Sequence, residues 1–280
     1  MTRPSTDTAR LFDLTGRVAV ITGGGGMLGV RHAEAIAGAG GVPVLVDIDG
    51  ARARESAKRL GDALGVDAGA VEADITSPQQ VEAALADVLD RYGRVDILVN
   101  NAANNPKVET ASEVPWSRFE HFPLAEWQAD LAVGLTGAFL CSQIIGREMA
   151  RRRRGVILNV ASDLAVIGPD QRIYRRPGLP DDRQPVKAVT YSVVKAGLVG
   201  LTRYLATYWA DAGVRANSIS PGGVYDNQPA DFVEKLSNLI PLGRMAFPDE
   251  YRGAVLFLVS DASSYMTGHN LVVDGGRTCW

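Results

Sequence analysis

Cysteine and histidine are scarce in this sequence. The two cysteines, Cys141 and Cys279, are too few and too far apart for a zinc knuckle or a disulfide framework. A reducing, cytoplasmic setting is the simplest reading. His32, His121 and His269 stand apart from cysteines and acidic clusters, so no metal site is expected. No run reaches the roughly 18–20 apolar residues of a membrane span. The stretch Met1–Asp13 has no apolar segment of the kind that marks a secretory signal and reads as a polar lead-in. Charge of one sign is lacking too. With 29 Lys and Arg against 32 Asp and Glu, the net charge of -3 gives no electrostatic footprint for nucleic acid. The basic run Arg151–Arg154 closes a helix, where cations complement the dipole, and no aromatics interleave it. No internal repeat and no linker interrupts the chain.

What is present is an even alternation of strand and helix patterns. The 280 residues, 46% apolar, suffice for a large core. The continuous β-branched run Arg17–Thr22 and the stretch Val42–Asp47 read as buried parallel strands, and further strands are read at Gly69–Asp74, Val95–Asn100, Gly155–Ala161, Arg215–Ser220 and Asn270–Val273. Helices are predicted at Met27–Ala39, Ala51–Leu64, Pro78–Tyr92 with Ser77 as cap, Leu124–Arg153, Tyr191–Ala212 and Asp249–Ser260. This order predicts an α/β fold, one doubly wound parallel sheet of the Rossmann type over residues 1–280. Two stretches rich in Pro, Arg and Asp depart from the pattern, Asn104–Leu124 and Asp163–Thr190. Both leave the C-terminal edge of the sheet, where ligands bind in open α/β folds.

Thr22-Gly23-Gly24-Gly25-Gly26-Met27-Leu28-Gly29 joins the first strand to the first helix. Glycines there allow a tight turn and close approach to a pyrophosphate, and the helix N-terminus presents free N–H groups. Asp47 ends the second strand, where an acid accepts hydrogen bonds from a ribose 2′-hydroxyl and repels a 2′-phosphate. The expectation is therefore a dinucleotide, NAD over NADP. Farther on, Tyr191 and Lys195 stand at i and i+4, on one helix face. An ammonium beside a phenol favours the phenolate and predicts a tyrosine with a lowered pKa, suited to acid–base work.

With these residues assembled, the chain resembles the short-chain dehydrogenase/reductase family along nearly its whole length. Asn100-Asn101-Ala102-Ala103 resembles the family's Asn-Asn-Ala-Gly, with Ala103 in place of glycine. Asn159-Val160-Ala161-Ser162, Ser220-Pro221-Gly222-Gly223, Tyr265-Met266-Thr267-Gly268 and Val273-Asp274-Gly275-Gly276 resemble further family segments. The resemblance implies Ser162, Tyr191 and Lys195 as catalytic residues. It also implies a cofactor site of Gly23, Gly26, Met27, Leu28, Gly29, Asp47, Ile48, Asp74, Ile75, Asn101, Ala102, Tyr191, Lys195, Pro221, Gly222 and Val224. The implied cofactor is NAD, and the implied reaction is hydride transfer at a hydroxyl or ketone of a small molecule. The implied assembly is a homodimer or homotetramer through the helices near Leu131–Met149 and Ser192–Ala210, where Tyr204, Tyr208 and Trp209 read as core or subunit contacts.

Three departures qualify the resemblance. Glycines 23, 26 and 29 fit Gly-x-x-Gly-x-x-Gly, with Met27 where the shorter branch keeps glycine. That spacing resembles the extended, nucleotide-sugar branch. Val133-Gly134-Leu135-Thr136-Gly137 puts Gly134 where the family keeps a catalytic asparagine. Asp226 and Asn227 follow the Pro221-Gly222 turn where threonine is common. The Ser162-to-Tyr191 spacing exceeds the family's usual one, which marks residues 163–190 as an insertion beside the active site. The insertion holds Arg172, Tyr174, Arg175, Arg176, Arg183 and Lys187 against Asp170, Asp181 and Asp182. Its arginines suit phosphate or carboxylate groups, or form ion pairs on a solvated surface. With the glycine spacing, they resemble members of bacterial surface-polysaccharide and nonulosonate pathways, acting on a sugar phosphate or nucleotide sugar. Two alternatives stay open: an NAD-binding scaffold or sensor that has lost its chemistry, and an epimerase or dehydratase that uses NAD catalytically. His121 is a further candidate to line the pocket.

Overall fold

Burial on both faces makes the apolar runs strands. A computed structural model describes residues 7–104 and 116–280. Its strands are β1 (Val18–Thr22), β2 (Val42–Asp47), β3 (Gly69–Glu72), β4 (Ile97–Asn100), β5 (Gly155–Val160), β6 (Val214–Pro221) and β7 (Asn270–Val273). All neighbouring strands pair parallel, in the order β3-β2-β1-β4-β5-β6-β7. The doubly wound α/β expectation holds. The strand order reverses between β1 and β4, the switch point outside which ligands bind in such sheets.

Successive residues of each strand feed opposite cores. Val18, Val20, Val44 and Val46 pack with α3 (Pro78–Tyr92), α5 (Ala138–Arg151) and α6 (Val189–Tyr208). Ala19, Ile21, Leu45 and Ile97 pack with α1 (Met27–Gly38), α2 (Gly50–Leu64) and α8 (Arg252–Val259). Local chemistry sets the helix ends. Asp49 accepts from Arg52 N at 3.0 Å to cap α2, Ser77 caps α3 ahead of Pro78, and Gly65 and Gly93 close both helices at φ +66° and +68°.

Several boundaries differ from the sequence expectation. The long helix after β4 is broken into α4 (Leu124–Leu131), a π turn (Ala132–Gly137) and α5. Helical winding is continuous from Leu124 to Arg151, and this 28-residue stretch is apolar enough to cross a membrane by length and composition. That corrects the reading that no such run exists. Its apolar window is 56% buried within the fold, and α5 packs against α3, β4 and β5, the placement of a core helix. The helix expected at Asp249–Ser260 is a 3₁₀ turn (Pro248–Tyr251) leading into α8. A helix not foreseen, α7 (Ala230–Ser237), packs beneath the insertion. Of the Asn104–Leu124 stretch, residues 105–115 lie outside the described residues.

A buried amide network locks the centre of the sheet to its helices. Asn100 Nδ2 donates to Asn159 Oδ1 at 2.8 Å and to Ser142 Oγ at 3.0 Å. Asn159 Nδ2 donates to Thr202 Oγ1 at 2.8 Å, and that hydroxyl donates to Leu198 O. Asn159 and Thr202 are 0% exposed, so loss of Asn159 would take one buried hydrogen bond from each of Asn100 and Thr202 with no water to replace it. Asn159→Ala is therefore expected to cost about 1–3 kcal/mol, read as a lower urea midpoint with an unchanged denaturant slope.

Candidate active site

The glycine turn after β1 closes tightly because Gly23 adopts φ +60°, a left-handed conformation that favours glycine. A Cβ on Gly29 would lie 2.3 Å from Gly23 O, so this residue lets α1 start directly against the turn. The first-turn N–H groups of α1 and the positive end of its dipole thus face the crossover. Asn101 fixes the turn from β4: its Nδ2 donates to Thr22 O at 3.0 Å and Gly23 O at 3.1 Å. Ala102 lies alongside and donates its N–H to Thr22 Oγ1. Asp47 is buried at the end of β2. Its Oδ2 accepts from Gly25 N and its Oδ1 from Arg52 Nη2, both at 3.0 Å. A glycine turn at a helix N-terminus with a carboxylate on its β2 side is the arrangement that a dinucleotide's pyrophosphate and ribose require.

Other predicted contacts divide between backbone and side chain. Met27 and Ile48 are exposed beside the turn, while Gly26 caps α1 and Leu28 packs on the core. Asp74 accepts from Thr76 N and Oγ1, and Ile75 points into the core against Gly137, so Ile75 offers a ligand its backbone alone. Pro221 ends β6. A Cβ on Gly222 would lie 2.8 Å from Asp274 Cα, and Val224 forms a bridge with Ala246. His121 is exposed in a 3₁₀ turn, and His32 is buried on α1, where burial pushes its imidazole down to about 4.

Ser162, Tyr191 and Lys195 converge at the C-terminal edge of β5, with Tyr191 and Lys195 on one helix face as their spacing predicts. Tyr191 is the third residue of α6, and Thr190 anchors that end of the helix by donating to buried Asp130 of α4. Lys195, one turn on, is buried, and its Nζ donates to Val160 O at 2.7 Å. Its ammonium lies 5.8 Å from the Tyr191 ring centroid. Burial pushes Lys195 down to about 8, assisted by the like charge of Lys187. Tyr191 itself is raised above its ordinary value. Burial of the charged form is the main cause, the Ser162 hydroxyl acts against it, and Asp163 adds to it. The expectation that Lys195 would lower Tyr191 is thus overridden by desolvation.

Ser162 and the C-terminus are joined by a buried ion pair that the sequence did not disclose. Ser162 Oγ donates to Asp163 Oδ1 at 2.8 Å, and Asp163 Oδ2 meets Arg277 Nη1 at 2.7 Å, with both side chains under a tenth exposed. Adjacency of Ser162 and Asp163 was the one available signal. The partner stands 114 positions away, and no local pattern links them.

Within the insertion, exposed Arg172 pairs with Asp170 at 2.6 Å and exposed Arg175 with Asp181 at 3.1 Å, so the ion-pair alternative describes these two arginines. Lys187 instead turns inward, its Nζ 3.9 Å from the Tyr191 ring centroid. Tyr174 also joins the site. Its hydroxyl is pushed up to about 12 by burial and feels the charges of Arg277, Tyr191 and Asp163, while its ring packs on Phe232 of α7. Buried Gln184 ties the loop together through Arg176 and Leu179, and Ile173 docks it on Leu236, Ile240 and Met245. A cavity of about 400 Å³, lined by Ser117, Phe119, Gln171, Lys187, Ser192 and Val193, opens beside it.

Comparison with known proteins agrees with this geometry. Residues 17–174 match the family profile described as short chain dehydrogenase, and residues 182–278 match that of enoyl-(acyl carrier protein) reductase. A D-threitol dehydrogenase of Mycolicibacterium smegmatis is 35% identical, the match covering 95% of each chain. An NAD-dependent glycerol dehydrogenase of Listeria innocua is 34% identical, over 95% of this chain and 96% of the relative. Among solved structures, a gluconate 5-dehydrogenase from Burkholderia cenocepacia in complex with NADP and tartrate superposes with a TM-score of 0.84 at 30% identity, over 97% of this chain and 99% of the other.

Gly134 lies in the π turn, and a Cβ there would sit 2.5 Å from Val194 Cγ1. Val194 thus fills the room that a side chain at 134 would need. Gly134→Asn is expected to destabilise by about 1–3 kcal/mol through overpacking, and Gly134→Asn with Val194→Ala to recover at least half of that loss. A double-mutant cycle on urea midpoints measures the coupling.

Proposed function

Because this chain belongs to the short-chain dehydrogenase family, we propose that it is an NAD-dependent dehydrogenase of a small polyol, oxidising a secondary alcohol to a ketone. The observation that carries the reading is the convergence of Tyr191, Ser162 and Lys195 at the sheet edge, next to the glycine turn that Asp47 flanks. The polyol rests on the D-threitol and glycerol relatives, which name simple polyols rather than nucleotide sugars. The surface-polysaccharide resemblance has no such support, and Arg172 and Arg175 of the insertion are paired with acids of the same loop.

The turn at Gly23–Gly29 would hold the pyrophosphate, Asp47 the adenosine ribose, and Lys195 with the Pro221–Gly222 segment the nicotinamide end. When bound, the nicotinamide supplies the hydride acceptor. The protein orients the alcohol and moves its proton. Tyr191 takes the proton from the substrate hydroxyl at its phenolic oxygen. Ser162, oriented by Asp163, hydrogen-bonds the same substrate oxygen and sets its angle. Lys195, fixed to Val160 O, adds positive charge behind the tyrosine. For assembly, exposed Phe139 of α5 with Val193 and the stacked Tyr204–Tyr208 pair of α6 form an apolar face that supports a homo-oligomer.

Turnover of C3–C6 polyols followed by absorbance of the reduced nicotinamide tests the reading. Tyr191→Phe is expected to lower kcat by about 10²–10⁴-fold with NAD binding retained. Tight NAD binding by the wild type without turnover of any polyol would instead support the scaffold alternative, for which the glycine at 134 is the motive.

Cofactor preference has its own test. Asp47 repels a 2′-phosphate and holds the Arg52 guanidinium against itself. Asp47→Ser removes the repulsion and releases Arg52 to meet that phosphate. The ratio of kcat/KM for NADP over NAD is expected to rise by about 10–100-fold. An unchanged ratio would count against Asp47 as the selector.

A further inference from the structure

Lysines flank Tyr191 on both sides in sequence, in Lys187-Ala-Val-Thr-Tyr191-Ser-Val-Val-Lys195. The structure gives the two unequal positions. Lys195 Nζ is engaged with Val160 O and stands 5.8 Å from the ring centroid, while Lys187 Nζ stands over the ring at 3.9 Å. The nearer cation comes from the insertion, just ahead of α6, and not from the helical i+4 position.

We propose that Lys187 stabilises the phenolate of Tyr191 during proton exchange, so that the insertion before α6 activates the general base. Lys187 acts through Tyr191 and not on the substrate, and the inference rests on the reading of Tyr191 as the group that takes the alcohol proton. The physical case is differential. An ammonium over a ring face is attracted by its π electrons, within the roughly 6 Å reach of such contacts. The attraction grows once the ring carries a full negative charge, so the contact favours the phenolate over the phenol. Tyr191 needs that help, because burial and Asp163 both disfavour its ionised form.

Lys187 is placed to keep its charge. Asp130 of α4 and Asp163 after β5 both favour the ammonium, and burial opposes them, leaving Lys187 at about 8. Lys195 is the like charge nearby, Arg277 is paired with Asp163, and Arg118 and Glu120 stand with Lys187 around the 400 Å³ cavity. Lys187 and Tyr191 then titrate as a pair, with macroscopic steps that belong to both. With Lys187 at about 8 and Tyr191 raised, the singly deprotonated pair is divided between amine with phenol and ammonium with phenolate. Only the second form accepts a substrate proton, and the contact over the ring favours it.

Titration of the full-length protein carrying Cζ-labelled tyrosine, followed by NMR, tests this without a substrate. The Tyr191 signal is identified by its disappearance in Tyr191→Phe. In Lys187→Met its midpoint is expected to rise by about one pH unit or more, and in Lys187→Arg to stay near the wild-type value. The reciprocal measurement uses ε-carbon-labelled lysine: Tyr191→Phe should lower the Lys187 midpoint. This holds the proposal to account even if Lys187→Met folds poorly. A Tyr191 midpoint unmoved in folded Lys187→Met, or a Lys187 midpoint unmoved in Tyr191→Phe, overturns it. With a turned-over polyol, the acid limb of kcat should move up by the same amount in Lys187→Met while KM holds. A uniform loss of kcat at every pH marks a structural role, and a KM increase with an unmoved limb marks a substrate contact; each overturns the proposal. Retained turnover in Tyr191→Phe would instead remove Tyr191 as the group that takes the alcohol proton, a failure of the underlying reading that the NMR midpoints distinguish from a failure of the Lys187 contact.

Discussion

Burial disfavours the charged form of a phenol, and the site around Tyr191 is arranged about that cost. Tyr191 is raised by desolvation and by Asp163. Asp163 in turn is bound by Arg277 in a pair almost wholly removed from water. Removing one member of such a pair leaves an uncompensated buried charge, which is worse than having no pair. Arg277 therefore limits how far Asp163 penalises the phenolate, while Asp163 keeps the Ser162 hydroxyl directed. The last residues of the chain are in this way part of the serine's environment, although the tail lies far from it in sequence.

The fold brings these groups together by register. Ser162 follows β5 and Tyr191 opens α6, and these two elements are bound to each other by the Asn159–Thr202 hydrogen bond. The same network reaches β4 through Asn100, and Asn101 carries it on to the cofactor turn. Thr190 and Asp130 add a tie from α6 to α4 one residue before the tyrosine. Position of the phenol is thus set by buried polar contacts, which are directional, rather than by apolar packing, which tolerates small slips.

The strands were legible because parallel strands buried on both faces read as unbroken apolar runs, and Val42–Asp47 and Asn270–Val273 fell where the sequence placed them. The glycine turn, Asp47 and the Tyr191–Lys195 pair were legible because each is a local spacing with a local mechanism. The π turn was not, since Gly134 looks helical in any window, and its cause is Val194 on another helix. α7 was missed because its eight residues, although amphipathic, are too short a run to be told from a loop by periodicity. The arginines of the insertion misled for a related reason: charge content is local, but whether a guanidinium meets an acid or a ligand is not. Arg172 with Asp170, two residues apart, was the readable exception.

Charge placement in the insertion follows from what anchors it. Ile173 and Tyr174 sit on α7, and Gln184 closes the loop on itself, so the segment between them is held at the surface. There Arg172 and Arg175 remain hydrated and pair with acids of the same loop, where exposed pairs contribute little to stability. Toward α6 the chain passes from buried Gln184 and Pro185 to buried Ala188, and Lys187 enters the site along that path. Gln171 Oε1 accepts from Lys187 N at 2.8 Å and fixes the backbone there. The insertion therefore presents two faces of different character. Its outer face is self-neutralising, and its inner end places a cation against the phenol from the side opposite in sequence to Lys195. A tyrosine whose helical lysine is bound to a backbone carbonyl receives the cation nearest its ring centroid from this added segment.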